Sequence, residues 1–254
     1  MDYLKVEDGS NKVLGRKTFM PNDRTSPSSA ILHIVLGNDA ALRDAIGELT
    51  RQCRIMRAIH ARTGMPPLRD FSADFGGLAK IVVGQQLSAS SAAAIWGRLS
   101  QAVRPFKAAR ILTMSEADLR APGLSAGKIK TLRAAAQAVA DRRIVFSKLN
   151  ALPDPDIIST LTQVHGIGPW TAEIYLLFAL RRADAFPCGD LALQLAVQNV
   201  MKLDAQPSAA QLGDVSQRWR PWRGAAARLL WADYALQRSA SRGPRNRGIA
   251  KKSI

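Results

Sequence analysis

A glycine pair set between two apolar helical patterns does most to narrow what this chain can fold into. In Leu161-Thr-Gln-Val-His-Gly-Ile-Gly-Pro-Trp-Thr-Ala-Glu-Ile-Tyr-Leu-Leu-Phe-Ala-Leu180, a helix-periodic run from about Pro155 to Val164 meets Gly166-Ile167-Gly168. A second helix opens at Pro169, where the N–H that proline lacks has no intrahelical partner anyway. The two glycines permit a sharp turn at positive φ and close approach of another backbone. The N–H groups of Gly166, Gly168 and Thr171 are then expected to point outward at the positive end of a helix dipole, an arrangement that binds phosphate.

Composition agrees with an anionic partner. Across 254 residues, 36 Lys+Arg against 20 Asp+Glu leave a net charge of +16. That surplus produces a long-range field favouring a polyanion, of which nucleic acid is the commonest; the alternative is a basic protein that is merely soluble. Hydrophobic residues make up 47 % of the chain, sufficient for one or two domains with a substantial core. Cys53 and Cys188 are the only cysteines. They cannot supply the four thiolates of an iron–sulfur cluster or of a thiolate-only zinc site, so no such cofactor is expected. The start, Met1-Asp-Tyr-Leu-Lys-Val-Glu-Asp, lacks a signal pattern, and no apolar run approaches the ~20 residues of a membrane span. A soluble cytoplasmic protein without membrane contact is expected.

Along the chain, residues 1–30 are polar and aperiodic and read as a flexible arm. Ile31-Leu-His-Ile-Val-Leu36 fits a short strand without an obvious partner or a lead-in to a helix. From Asn38-Asp39 an apolar stripe runs through Leu42, Ile46, Leu49, Cys53, Met56 and Ile59 to about Arg62, where Gly64-Met-Pro-Pro67 ends it. Further helices are expected over Phe71–Val83, Ala89–Val103, Lys128–Ala140, Asp190–Met201, Ser208–Arg218 and Pro221–Gln237, with a short one opening at Ser115-Glu-Ala-Asp. Strand signals are nearly absent, so the fold is expected to be all-α. Residues 237–254 carry six Lys+Arg and no acid and read as a disordered basic tail, either adding phosphate attraction or simply solvated.

Val164-His-Gly-Ile-Gly-Pro-Trp-Thr-Ala, followed past Phe186-Pro-Cys-Gly by Asp190-Leu-Ala-Leu-Gln, resembles the helix-hairpin-helix DNA glycosylase superfamily, and within it the DNA-3-methyladenine glycosylase II branch. The resemblance covers roughly residues 70–236. Gly-x-Gly alone is weak; Gly-x-Gly-x-Trp-Thr-Ala with an aspartate about twenty residues on is specific. It implies two helical lobes with a central cleft, a core over residues 31–236, and duplex DNA carrying damaged bases as partner of a monomer. It also implies base excision: hydrolysis of the N-glycosidic bond of alkylated purines. The alternatives are a noncatalytic hairpin DNA-binding protein and a glycosylase for deaminated or oxidised bases.

The resemblance assigns Asp190 as the essential acid, although Gly189 precedes it where relatives often have Asp or Val. Geometry permits the role. A helix from Pro169 to about Arg181 is roughly 18–20 Å long, and the connection on to Asp190 can reach about 30 Å, so the chain can double back to the hairpin. Asp190 also stands where a helix N-cap belongs, the commoner use of an aspartate. The two readings are compatible, because N–H donors to a carboxylate favour its ionised form, and an anion stabilises the oxocarbenium character of a sugar losing its base. Lyase-type relatives carry a Schiff-base lysine where this chain has Trp170, and no lysine lies between Lys148 and Lys202, which implies an enzyme without lyase activity.

The remaining site candidates each have a structural alternative. Trp170 and Trp231 are expected to stack on a flipped base, or to be core; Tyr175 is a third candidate for that pocket. Trp219 and Trp222 read as structural. The loop Gly84-Gln85-Gln86-Leu87-Ser88 matches the one that fills the hole left by a flipped base, with Gln86 or Leu87 inserted, or is a polar turn capped by Ser88. The resemblance further implies a structural Na+ or K+ on the carbonyls of Thr162, Val164 and Ile167. Lys128 and Lys130 are either phosphate contacts or solvated charges.

Overall fold

The computed structural model describes residues 34–69, 71–149 and 151–241. In chain order the helices are α1 (Asp39–Gln52), α2 (Arg54–Thr63), α3 (Phe75–Gly84), α4 (Ala89–Ala102), α5 (Ala108–Thr113), α6 (Glu116–Arg120) and α7 (Ala126–Ala140). There follow α8 (Phe146–Leu149), α9 (Asp154–Thr162), α10 (Pro169–Ile174), α11 (Leu191–Met201), α12 (Ala209–Ser216) and α13 (Arg223–Ser241). Among the described residues the only β pairing is one isolated bridge, Val35 to Arg182.

Short polar side chains decide where these helices begin. Asn38, Asp74, Ser88, Ser115, Ser125 and Ser208 each accept a first-turn backbone N–H, ahead of α1, α3, α4, α6, α7 and α12. Replacing such a cap by alanine costs typically ~1 kcal/mol. The helices gather into two groups that share one apolar core. In one, α13 lies against α1, α2 and α11, with α12 on α11. In the other, α3 packs on α4, α7 and α10, while α5 and α6 cover α7 and α9 covers α10. The N-terminal pair therefore joins the C-terminal helices, and the middle of the chain forms the opposite wall of a cleft, which is the all-α architecture expected.

Four departures from the sequence reading have local causes. The stripe over residues 39–62 is two helices, broken at Cys53, whose backbone is extended. The Arg57 guanidinium donates to the carbonyls of Thr50 (2.9 Å) and Arg51 (3.0 Å), satisfying the end of α1, while the apolar spacing continues across the break. Helix α3 begins at Phe75 rather than Phe71, because Asp74 accepts the Gly77 N–H at 3.0 Å. The segment at Val35 has a partner after all: Leu36 N–H donates to Arg181 O (2.8 Å) and Ala183 N–H to Ile34 O (2.9 Å). Finally α13 continues to Ser241, so residues 237–241 are helical and not tail. The expected arm over residues 1–30 and the tail beyond Ser241 lie outside the described residues. None of the described helices is long and apolar enough to cross a membrane.

Candidate active site

The turn between α9 and α10 is tight for a reason that lies elsewhere in the sequence. Gly166 takes φ +81°, and a Cβ there would come within 1.9 Å of Thr131 Oγ1 on α7, so only glycine fits. Gly168 is different. Its φ of −91° is open to any residue, and a Cβ would meet nothing within 4 Å. The expectation of positive φ therefore holds at Gly166 alone. The protein's own packing gives no reason for a glycine at 168, which leaves bare backbone at the start of α10.

Gln85 was expected to face DNA; it is instead a brace. Its Nε2 donates to the Thr171 hydroxyl (2.9 Å) and to the Gly166 carbonyl (3.2 Å), tying the loop after α3 to the hairpin and using the buried Thr171 side chain internally. A second tie comes from Lys128, whose ammonium donates to Val83 O at 2.7 Å at the C-terminal end of α3, where helix carbonyls lack partners. Burial lowers its pKa. Lys128 is thus committed inside the protein. What the loop leaves free is Gln86, at φ +55°, and Leu87, exposed at 39 %.

Beyond α10 the chain passes through one π turn, Tyr175–Ala179, before Arg181 ends it at φ +56°. Such turns alter which side chains share a face. Ile174 and Phe178 line the cleft. Tyr175 does not, and the expectation that it reaches the pocket is corrected: it is fully buried against Phe146 (centroids 5.9 Å), its hydroxyl without a hydrogen-bond partner among the described residues and its pKa pushed up by burial and by Asp74.

The returning chain places Asp190 at the N-terminus of α11. Its Oδ1 accepts the Leu193 N–H at 3.0 Å, so it is the helix cap. It is also more than that. Trp170 Nε1 donates to Oδ2 and Trp231 Nε1 to Oδ1, each at 2.9 Å. Two indoles from α10 and α13, expected only as flat surfaces, thus hold one oxygen of the carboxyl group each. Asp190 is half-buried and lines two connected depressions. One is a shallow groove that also touches Gly166, Gln86, Leu87 and Leu191, itself 60 % exposed. The other is a pocket of about 490 Å³, within the range of small-molecule sites.

Sequence reasoning missed most of that pocket's wall. Phe71, Phe178 and Trp231 form a stacked row, with centroids 5.5 Å and 5.7 Å apart, so Phe178 covers one face of the Trp231 indole. Trp96 lines the pocket too, with Ala89, Ala92 and Ala93, all on α4. Two cations line the pocket as well: Arg69, 5.2 Å from the Phe178 ring centre, and Lys80, 4.5 Å from that of Phe71. Behind Phe178 the buried Arg228 donates to Leu177 O (3.1 Å) and sits 4.7 Å from the ring. Burial among neighbouring arginines pushes its pKa down to about 10. Ala89 and Ala93 of the Ala-rich run ahead of Trp96 stay exposed, and their short side chains leave the pocket room.

A half-buried carboxylate, a bare-backbone hairpin and an aromatic pocket thus lie side by side. The chain belongs to the HhH-GPD superfamily of base excision DNA repair proteins, whose signature matches residues 79–221. It is 32 % identical over 166 residues to DNA-3-methyladenine glycosylase 1 of Schizosaccharomyces pombe, covering 62 % of this chain and 73 % of that one. It is 29 % identical over 176 residues to YfjP of Bacillus subtilis, 66 % of this chain and 61 % of that protein. Among solved structures it resembles the S. pombe 3-methyladenine DNA glycosylase Mag1 in complex with abasic DNA, with a TM-score of 0.69, 29 % identity, and coverage of 74 % of this chain and 95 % of that one. The fold alone also matches an 8-oxoguanine glycosylase/lyase of Clostridium acetobutylicum bound to DNA, with a TM-score of 0.67 and 14 % identity over 82 % of this chain and 73 % of that one.

Proposed function

We propose that this protein is a monofunctional DNA glycosylase that hydrolyses the N-glycosidic bond of alkylated purines of the 3-methyladenine type in duplex DNA. The observation that carries the reading is the coordination of Asp190. An ionised carboxylate offers about four lone-pair sites. Trp231 and Leu193 occupy Oδ1 and Trp170 one site on Oδ2, so the acceptor position left over is on Oδ2. The C1′–N bond breaks with its electron pair leaving on the base. The fixed anion stabilises the positive charge that gathers on the sugar, and Oδ2 aligns the incoming water, whose hydroxyl ends on C1′ and whose proton passes by way of Oδ2 to solvent. A base that leaves from a cationic lesion departs neutral, so the pocket has only to hold it. Trp170 and the uncovered face of Trp231 supply stacking surfaces for it.

The DNA is gripped by the hairpin backbone at Gly166, Gly168 and Thr171, with Gln86 and Leu87 filling the gap left by the flipped base. All these parts belong to one chain, which supports action as a monomer. A monovalent cation held by the carbonyls of Thr162, Val164 and Ile167 would add positive charge beneath the phosphate. The donor set suits it: neutral oxygens, of which Val164 O accepts the Ile167 N–H at 3.0 Å and keeps a second lone pair.

Absence of lyase activity rests on Trp170 standing where an amine would be needed. Lys80 is the amine that lines the pocket, and its ammonium lies over the Phe71 ring. Release of free base from duplexes bearing 3-methyladenine, 7-methylguanine, hypoxanthine or 8-oxoguanine tests the activity; no release of any of them overturns it. Borohydride treatment during turnover tests the chemistry. No covalent DNA adduct is expected, and an adduct lost in Lys80→Met would make the enzyme a lyase through Lys80.

A further inference from the structure

Arg69 is the feature of the pocket that a site for cationic purines does not call for. It lies on the segment leading into α3, far in sequence from the hairpin, and lines the pocket with Asp190 and the aromatic row. A guanidinium carries five N–H donors and no acceptor. Here it rests on the Phe178 ring, 5.2 Å from the centroid, and makes no hydrogen bond or ion pair with any of the described residues. It is close enough to Asp190 for that charge to raise its pKa, against a larger lowering by desolvation. Arg69 is exposed, so its donors stand open at the edge of the space that the flipped base is to occupy, with the buried Arg228 adding a second positive charge behind the ring.

We infer that Arg69 widens the lesion range, raising excision of uncharged purines that present a carbonyl oxygen, such as hypoxanthine, relative to that of the cationic N-alkylpurines. The inference rests on the glycosylase reading above. The electrostatics follow from how charge moves in the reaction. When an uncharged base leaves, the electron pair of the C1′–N bond travels with it, the base becomes anionic, and it then takes a proton from water. A guanidinium beside the base stabilises that developing negative charge and can donate to the carbonyl. When a cationic base leaves, positive charge passes from base to sugar and the base departs neutral. Arg69 then repels the bound lesion, stabilises no developing anion, and leaves the work to Asp190. The two cases thus respond to Arg69 with opposite sign.

The test is the ratio of kcat/KM on duplexes containing 7-methylguanine and hypoxanthine, for the parent, Arg69→Met and Arg69→Lys. Methionine keeps an unbranched apolar stem against Phe178 while removing the charge. The expected result is a rise in the 7-methylguanine to hypoxanthine ratio of about tenfold in Arg69→Met, with partial return in Arg69→Lys. Equal losses on both lesions, together with a shallower salt dependence of DNA binding, would make Arg69 a phosphate contact and overturn the proposal. An unchanged ratio with unchanged rates overturns it too. If the parent releases neither base, the glycosylase reading itself fails, an outcome distinct from either. Melting curves of the variants identify any loss that comes from folding.

Discussion

The hairpin and the pocket meet at Trp170, yet they are built in opposite ways. The hairpin offers backbone. Its contacts come from a few consecutive residues, and its shape is enforced by Thr131 beneath Gly166. The pocket offers side chains. Its wall is gathered from α3, α4, α10, α11 and α13 and from the segment holding Arg69 and Phe71, and its chemistry lies in one carboxylate, several rings and two lining cations. The difference implies a division of labour: damage to the hairpin should weaken all DNA alike, whereas damage to the pocket should change rate and selectivity and spare affinity.

The largest effect should come from Asp190→Asn. The amide removes the charge and turns a donor toward one of the indole N–H groups, so both the electrostatics and the hydrogen-bond pattern fail together. Base release is expected to fall by at least 10²–10³-fold. Duplex affinity, measured by fluorescence anisotropy, should stay within about threefold, since removing an anion does not weaken attraction to phosphate. Equal losses in affinity and rate would erase the distinction between the two regions.

The reverse experiment is Gly168→Val. No protein atom lies within 4 Å of the added Cβ and φ is ordinary, so the fold should tolerate it; an isopropyl group over the hairpin should still keep phosphate away. Losing one or two phosphate hydrogen bonds predicts roughly 10- to 100-fold weaker binding, the same for damaged and undamaged duplex. Gly166→Ala is the contrasting control, because the added methyl group would clash with Thr131 and destabilise the protein itself. Weaker binding confined to damaged DNA in Gly168→Val would mean that the hairpin reads lesions.

Within the pocket, Trp170→Phe and Trp231→Phe separate the two uses of an indole. Phenylalanine keeps a stacking face and loses the N–H that holds Asp190. If holding the carboxylate matters, each variant should lose about tenfold in kcat with little change in KM. Trp231→Phe should be the milder of the two, because Leu193 N–H still holds Oδ1. A change in KM alone would return both tryptophans to stacking.

The same contrast explains what could be read from the sequence. Gly166, Pro169 and Asp190 are legible because turn, first-turn and cap chemistry act over a few residues. So is the all-α fold, which follows from apolar spacing closed off by capping residues. Arg69, Phe71, Lys80 and Trp96 are not legible as site residues, since nothing local marks a side chain whose partners arrive from α10 and α13. Gln85 was misjudged for the same reason: an exposed-looking polar residue found its acceptors in Gly166 and Thr171 across 81 and 86 positions. The break at Cys53 and the π turn at Tyr175 are hidden by apolar patterns that continue through them.

One group on α10 faces neither region and should respond to neither assay. Glu173 is largely desolvated, and although Arg223 partly offsets this, its pKa is raised to about 7 from 4.5. The folded value lies above the unfolded one. The protonated side chain is therefore accommodated without penalty below about pH 4.5, and stability is lost as pH rises through about 7, where folding must keep a desolvated anion. Glu173→Gln removes that titration. The variant should match the parent near pH 4.5 and exceed it by about 1–2 kcal/mol at pH 8 in urea unfolding, a figure set below the full linkage value because the side chain keeps some solvent. DNA affinity and base-release rate should not move at either pH. A shift in kcat would place Glu173 in communication with Trp170, three residues earlier on the same helix, and the hairpin and the pocket could then no longer be treated as separable.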